Sequence, residues 1–169
     1  DIPAERIIIT NGASGALMLA MGVLLNYNDK VIMSDPGYPC NRHFVSMFDG
    51  KPVMVPVDKS TNFQLNSDLV ERYHGKGARA VLLSTPSNPS GTAVAIDEIA
   101  KIQKVCADNG STLVVDEIYH GLIYESEIPS AVTISDDLFV INSFSKYFGM
   151  TGWRLGWMVV PNKYIDAVD

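Results

Sequence analysis

Short runs of apolar, mostly β-branched residues alternate along the chain with longer segments in which apolar residues recur at helical spacing. Runs of the first kind are typical of buried strands, and strands that alternate with helices indicate a parallel sheet covered by helices. The pattern predicts strands at residues 6–10, 30–34, 52–57, 80–85, 112–116, 138–142 and 155–160. It predicts helices at residues 14–27, 39–49, 67–75 and 97–108. We therefore predict an α/β fold, a three-layer α/β/α sandwich with a seven-stranded, mostly parallel sheet.

The connection into the last predicted strand is too short for a crossover helix. Only residues 147–154 precede that strand, whereas parallel neighbours need a crossover of about a dozen residues or more. We therefore predict that the last strand runs antiparallel. No repeat, low-complexity tract or linker interrupts the sequence, so residues 1–169 are predicted to form a single domain.

Composition narrows the range of functions. Hydrophobic residues make up 47% of the chain, enough for a core, and a net charge of −6 without a basic run argues against a nucleic-acid partner. The apolar windows are too short to cross a bilayer, so no membrane partner is expected. Cys40 and Cys106 are isolated and lack metal-ligand spacing, which favours reduced thiols, a cytoplasmic location and no bound metal. The expected partner is a small molecule.

Special residues directly follow the first two predicted strands, at the sheet edge where open α/β folds bind ligands. The segment TNGASG at residues 10–15 opens a helix, and the free N–H groups there favour an anion, so Gly12, Ala13 and Ser14 form a candidate phosphate site. An ordinary helix N-cap would explain the same residues. Tyr38, in the segment DPGYP, fits either a platform for a flat ring or a simple turn.

The fourth and fifth predicted strands end in polar groups. Asn88 lies in the loop SNPSGT, where two X–Pro bonds would fix its amide at the sheet edge, although stiffness alone also explains this loop. Asp116 ends an apolar strand, and a buried carboxylate needs a cation or hydrogen-bond donors nearby. Tyr119 follows three residues later, so a turn would return its phenol to the same cleft.

The segment SFSKYFGMTGWRLGW at residues 143–157 follows the sixth predicted strand and contains Ser143, Ser145 and Lys146. A lysine must be neutral to attack a carbonyl, and a nearby cation or exclusion from water lowers its pKa. Arg154 would be such a cation, and its planar fork of donors would also bind a phosphate. A single lysine is more often solvated. The functional interpretation therefore depends on the joint pattern of groups at successive strand ends.

These motifs resemble, in the same order, those of the class I/II aminotransferases, the fold-type I enzymes that depend on pyridoxal phosphate. The segments are TNGASGAL, DPGYP, SNPSGT, DEIY and SFSKYFGMTGWRLG, and the similarity extends over residues 7–161. It implies the cofactor pyridoxal 5'-phosphate, amino acid and 2-oxo acid substrates, and a homodimer. Members of this family are longer, so the resemblance also implies that an N-terminal arm and a C-terminal small domain lie outside this chain.

The resemblance implies a role for each site residue. Lys146 would form a Schiff base with the cofactor and move a proton during the reaction, and Asp116 would pair with the protonated ring nitrogen, so these two and Tyr119 are the catalytic candidates. Tyr119 and Asn88 would bind the phenolic oxygen of the ring, Tyr38 would stack on its face, and a cis bond would precede Pro89. The phosphate ligands would be Gly12, Ala13, Ser14, Ser143, Ser145 and Arg154.

Amino transfer is the leading prediction, but two other functions are compatible with the same motifs. A C–S lyase or a related synthase would use the same cofactor and lysine, because the choice of reaction depends on how the substrate is oriented. A non-catalytic effector domain of a transcription regulator would reuse the fold. Glu117 is left open between a charge that supports the site and a solvated side chain.

Overall fold

The computed structural model describes residues 1–75, 77–124 and 127–168. Its strands are β1 (Ile7–Thr10), β2 (Lys30–Asp35), β3 (Lys51–Pro56), β4 (Ala78–Ser84), β5 (Thr112–Asp116), β6 (Phe139–Ser143) and β7 (Gly156–Val159). Its α-helices are α1 (Gly12–Leu24), α2 (Cys40–Met47), α3 (Ser67–His74), α4 (Ile96–Asp108) and α5 (Ile165–Val168). All the predicted strands and helices are present, with ends that differ from the prediction by at most three residues.

The strands form one sheet in the order β1-β7-β6-β5-β4-β2-β3. The pairs β2–β3, β2–β4, β4–β5 and β5–β6 are parallel. Strand β7 is antiparallel to both of its neighbours, β1 and β6. The predicted α/β fold, the mostly parallel sheet and the antiparallel last strand are therefore confirmed.

Side chains that alternate along the central strands fill two apolar cores, one on each face of the sheet. In β5, Val114 packs with the buried residues of α1, whereas Leu113 and Val115 pack with those of α3 and α4. Helices α2 and α5 also contribute apolar side chains on the α1 face. This arrangement confirms the three-layer α/β/α sandwich, and it explains why the strands are apolar on both faces.

The sheet also carries an exposed apolar groove of about 580 Å³ beside β1, β6 and β7. Ile9 in β1 is 63% exposed at this groove, and Phe144 and Trp157 form part of its wall with their rings 4.8 Å apart.

Among the described helices, none is long and apolar enough to cross a membrane.

Gly156 in β7 lets the sheet approach the first turn of α1, so we expect Gly156→Ala to destabilise the protein. A Cβ there would lie 2.7 Å from the carbonyl carbon of Gly12, 2.9 Å from the backbone nitrogen of Ala13 and 2.9 Å from the carbonyl oxygen of Asn142. Because these are backbone atoms, no side-chain rotation can relieve the clash. We expect the free energy of unfolding to fall by about 3 kcal/mol in urea denaturation.

Gly152→Ala provides the matched control for this prediction. A Cβ at Gly152 would meet no atom within 4 Å, so its effect should stay below about 0.5 kcal/mol. Equal losses of stability in the two variants would show that the close contact at Gly156 is not responsible.

Candidate active site

A cleft of about 210 Å³ lies at the carboxyl ends of β4, β5 and β6, beside the first turn of α1. Nine of the eleven predicted site residues line it, so residues from five separate motifs meet at one place. They are Ala13, Ser14, Tyr38, Asn88, Asp116, Tyr119, Ser145, Lys146 and Arg154. The other two are buried next to lining residues: Gly12 lies beside Arg154, and Ser143 is hydrogen-bonded to Ser145.

Asp116 is a buried carboxylate at the end of β5, with 6% of the residue exposed. Its Oδ1 accepts a hydrogen bond from the N–H of Ile118 at 3.0 Å. Within the described part of the chain, no Lys, Arg or His side chain forms an ion pair with it. Burial raises the pKa of Asp116 to about 6, the charge of Glu117 adds to this rise, and the hydrogen bond from Ile118 opposes it. This part of the cleft therefore favours a cationic ligand group.

Tyr119, Asn88 and Lys146 form a polar group on the wall of the cleft. The Nδ2 of Asn88 donates to the Tyr119 hydroxyl at 3.4 Å. The Nζ of Lys146 lies 5.5 Å from the centre of the Tyr119 ring, and the lysine is exposed. The peptide bond between Asn88 and Pro89 is cis, as expected. The amide, the phenol and the amine thus surround the same space.

Gly12 and Arg154 form the end of the cleft that suits an anion. Gly12 has a φ of +69°, and a Cβ at this position would come within 2.5 Å of a guanidinium nitrogen of Arg154. Glycine therefore lets the Arg154 side chain reach the N-terminus of α1, where the first N–H groups have no partner within the helix. The Nη1 of Arg154 donates to the carbonyl of Thr151 at 3.1 Å, which orients the guanidinium.

Ser143 and Ser145 differ in position although they are only two residues apart. Ser145 lines the cleft, whereas Ser143 is 1% exposed and lies beneath it. The N–H of Ser145 donates to Ser143 Oγ at 3.1 Å, and the Ser143 hydroxyl donates to Ser145 Oγ at 2.9 Å. Ser143 thus supports Ser145, and its own contact with a phosphate stays a prediction.

Tyr38 lies at the rim of the cleft and is 40% exposed. The side-chain hydrogen bond with Cys40 is the largest cause that raises the pKa of Tyr38, and partial burial adds to it. The phenol therefore stays neutral, and its ring is accessible to a ligand in the cleft.

Several contributors to the site were not identified from the sequence. Leu17, Ser84, Pro86 and Ile118 also line the cleft. The only signal in the sequence for Ser84, Pro86 and Ile118 was their position at or just after a strand end, and Leu17, inside α1, gave none. Gln64 was missed altogether.

The buried side chain of Gln64 holds the loop that contains Asn88. Its Nε2 donates to the carbonyl of Thr92 at 2.7 Å and to the carbonyl of Ser84 at 3.3 Å, so it bridges the two ends of this loop.

Glu117, for which the sequence left two interpretations open, is not solvated. The residue is 3% exposed, and its carboxylate accepts hydrogen bonds from the Ala131 N–H at 2.7 Å and the Ser130 hydroxyl at 2.8 Å. The interpretation as a solvated side chain is therefore wrong.

Comparison with known proteins identifies relatives over the whole chain. The family model described as aminotransferase class I and II matches residues 1–169. Valine–pyruvate aminotransferase of Mycobacterium tuberculosis is 37% identical over 99% of this chain and 44% of its own length. Aspartate aminotransferase of Sulfurisphaera tokodaii is also 37% identical, over 99% of this chain and 43% of its own length.

Solved structures give the same result. The crystal structure of an aminotransferase from Mycobacterium tuberculosis superposes with a TM-score of 0.94 at 37% identity and covers 99% of this chain and 43% of that chain. A mutant of Thermus thermophilus aspartate aminotransferase superposes with a TM-score of 0.93 at 28% identity, over 99% of this chain and 46% of that chain. The chain thus spans less than half the length of these relatives. With its family-model match, its relatives and its fold in agreement, the chain belongs to the class I and II aminotransferases.

Proposed function

We propose that the protein is a pyridoxal-phosphate-dependent aminotransferase that transfers an amino group between an amino acid and a 2-oxo acid. The observation that carries the proposal is that Asp116, Tyr119, Lys146 and Arg154 face one cleft. We further propose that residues 1–169 are its single cofactor-binding domain, that an N-terminal arm and a C-terminal small domain lie outside this chain, and that the protein acts as a cytoplasmic homodimer.

The chemistry of the cleft fits both ends of pyridoxal phosphate. At one end, the Arg154 guanidinium, the Ser145 hydroxyl and the first N–H groups of α1 would hold the phosphate. At the other end, the buried carboxylate of Asp116 has no cationic partner among the described residues, and a protonated ring nitrogen would provide one. The ring would lie against Tyr38, whose aromatic face is accessible.

Lys146 is the proposed nucleophile and proton carrier. When bound, pyridoxal phosphate supplies an aldehyde that condenses with amines and a ring that accepts negative charge from the substrate. Lys146 would hold the cofactor covalently in the resting enzyme. With its amine free, Lys146 would take a proton from the α-carbon of the substrate and deliver that proton to the aldehyde carbon of the cofactor.

Tyr119 and Asn88 would orient this reaction. The Tyr119 hydroxyl accepts a hydrogen bond from Asn88, so its own proton remains available for the phenolic oxygen of the cofactor. A hydrogen bond to the charged form of that oxygen stabilises the anion. The pair would therefore keep the cofactor in one orientation relative to Lys146.

An assay of the full-length protein with pyridoxal phosphate tests the proposed function. We expect amino transfer from at least one of a panel of amino acids, including valine and aspartate, to 2-oxoglutarate or pyruvate. Release of ammonia and pyruvate from cystathionine without amino transfer would contradict the proposal and favour a C–S lyase. Cofactor binding without either reaction would favour a non-catalytic domain.

A further inference from the structure

We propose that Glu117 is a positioning residue whose buried carboxylate, together with His120, fixes the turn that carries Tyr119 into the cleft. This inference rests on the proposed function, because Tyr119 would act there on the cofactor. Glu117, His120 and Ser130 line the apolar groove and not the cleft, so Glu117 would not touch the cofactor and would act on it through the residues it holds or through its charge, which adds to the raised pKa of Asp116.

The Glu117 carboxylate connects two segments that are distant in the chain. One oxygen accepts from the N–H of Ala131 at 2.7 Å, and the other accepts from the hydroxyl of Ser130 at 2.8 Å and lies 3.5 Å from Nδ1 of His120. The backbone N–H of Glu117 donates to the carbonyl of Ile141 at 2.8 Å, which ties the residue to β6. A buried carboxylate with three partners has little freedom to move.

His120 joins the same cluster from the other side of the turn. Its Nε2 contacts the carbonyl oxygen of Ile128, and its backbone N–H donates to the carbonyl of Glu117 at 2.7 Å. The side-chain hydrogen bond with Glu117 is the largest cause that raises the pKa of His120, which favours the protonated imidazole beside the carboxylate. Both the backbone and the ring of His120 are therefore held by this cluster.

The turn held in this way contains Tyr119 and lies against the segment around Lys146. The N–H of Leu122 donates to the carbonyl of Tyr119 at 3.0 Å. Gly121 has a φ of +90°, and a Cβ there would come within 2.8 Å of the Tyr147 ring. Since Tyr147 is the neighbour of Lys146, a shift of the turn would move the Tyr119 hydroxyl relative to the lysine amine.

The test compares Glu117→Gln with Glu98→Gln in the full-length protein. Both substitutions conserve the shape of the side chain and remove its charge. Glu98 is a matched control because its carboxylate accepts from the N–H and the hydroxyl of Ser67, both at 2.7 Å, and it does not line the cleft. If Glu117→Gln prevents folding, Ser130→Ala removes one donor from the same cluster and gives a smaller effect in the same direction.

Two readouts report on the position of Tyr119. The absorption spectrum of the bound cofactor is recorded as a function of pH, and its midpoint is the pH at which the spectrum is halfway between its acidic and basic forms. A displaced hydroxyl stabilises the phenolate of the bound cofactor less, so Glu117→Gln should raise this pH midpoint by about one unit. It should also weaken pyridoxal phosphate binding about five-fold, the loss of one ordinary hydrogen bond. Glu98→Gln should leave the pH midpoint within about 0.3 unit and the affinity for pyridoxal phosphate within about two-fold of the wild type, and equal changes in the two variants would overturn the proposal.

A double variant separates positioning from a direct effect of the charge. Tyr119→Phe alone should raise the pH midpoint in the same direction. If Glu117 acts through Tyr119, adding Glu117→Gln to Tyr119→Phe should produce no further shift. Shifts that add in full, or a Glu117→Gln protein with wild-type values, would overturn the inference.

Hydrogen exchange in the cofactor-free protein tests the cluster independently of the cofactor. Glu117→Gln should speed exchange of the His120, Leu122 and Ala131 amides about ten-fold relative to Glu98→Gln. If the wild-type protein bound no pyridoxal phosphate, the proposed function would fail, and unchanged exchange in Glu117→Gln would then overturn the structural role of Glu117 separately.

Discussion

Replacing Lys146 with alanine is expected to abolish covalent retention of pyridoxal phosphate and to lower kcat for amino transfer by at least about 10²–10⁴-fold. The expected loss is large because the amine serves both as the covalent attachment point and as the proton carrier. The geometry supports this role, since Lys146 lines the cleft with Asp116 and Arg154 and its Nζ lies 5.5 Å from the Tyr119 ring.

Borohydride reduction followed by peptide mass mapping measures this effect directly. The wild-type protein should carry the reduced cofactor on the peptide that contains Lys146, and the alanine variant should carry none. Lys163→Ala is the matched control, because the Nζ of Lys163 lies 5.3 Å from the Tyr164 ring but outside the cleft. Label on any other lysine of the cofactor-loaded wild type would refute the assignment.

The cleft could be predicted from the sequence because parallel strands end at the same edge of a sheet. Asn88 follows β4, Asp116 ends β5 and Lys146 follows β6, so residues far apart in the sequence converge once the strands are aligned. The antiparallel orientation of β7 could also be predicted from the sequence, because the connection before this strand is too short for a parallel crossover. In both cases local patterns and chain connectivity determine the geometry.

The contacts that support the site could not be predicted, because they join segments that are far apart in the chain. Gln64 binds the carbonyl of Thr92, and Glu117 binds Ser130, through connections that follow no helical or strand spacing. The burial of Ser143 could not be predicted from its motif either, because it depends on how β6 packs against the residues before β7. Motifs thus identify the groups that face the ligand, whereas the contacts that hold them require the folded chain.

Asp116→Asn is expected to stabilise the cofactor-free protein at neutral pH. The folded-state pKa of Asp116 is about 6, against an ordinary value of 3.8, so the folded state binds more protons than the unfolded state between these values. The free energy of unfolding therefore falls as pH rises from about 4 to about 6, by up to about 3 kcal/mol. Asparagine removes this penalty, and its amide oxygen can still accept the hydrogen bond from Ile118.

Urea denaturation at a series of pH values measures this effect. The variant should exceed the wild type by about 1–3 kcal/mol at pH 7, and the two curves should converge near pH 4. A variant that is less stable than the wild type at pH 7 without cofactor would contradict the pKa assigned to Asp116.

The same substitution should impair function, which would explain why an unfavourable charge is kept in the core. A ring nitrogen that carries a positive charge would lower the pKa of Asp116 and compensate the burial of its carboxylate. Pyridoxal phosphate should therefore raise the Tm of the wild type more than that of Asp116→Asn, and kcat should fall roughly 10²-fold in the variant. An equal rise in Tm in both proteins would mean that Asp116 does not face a cation.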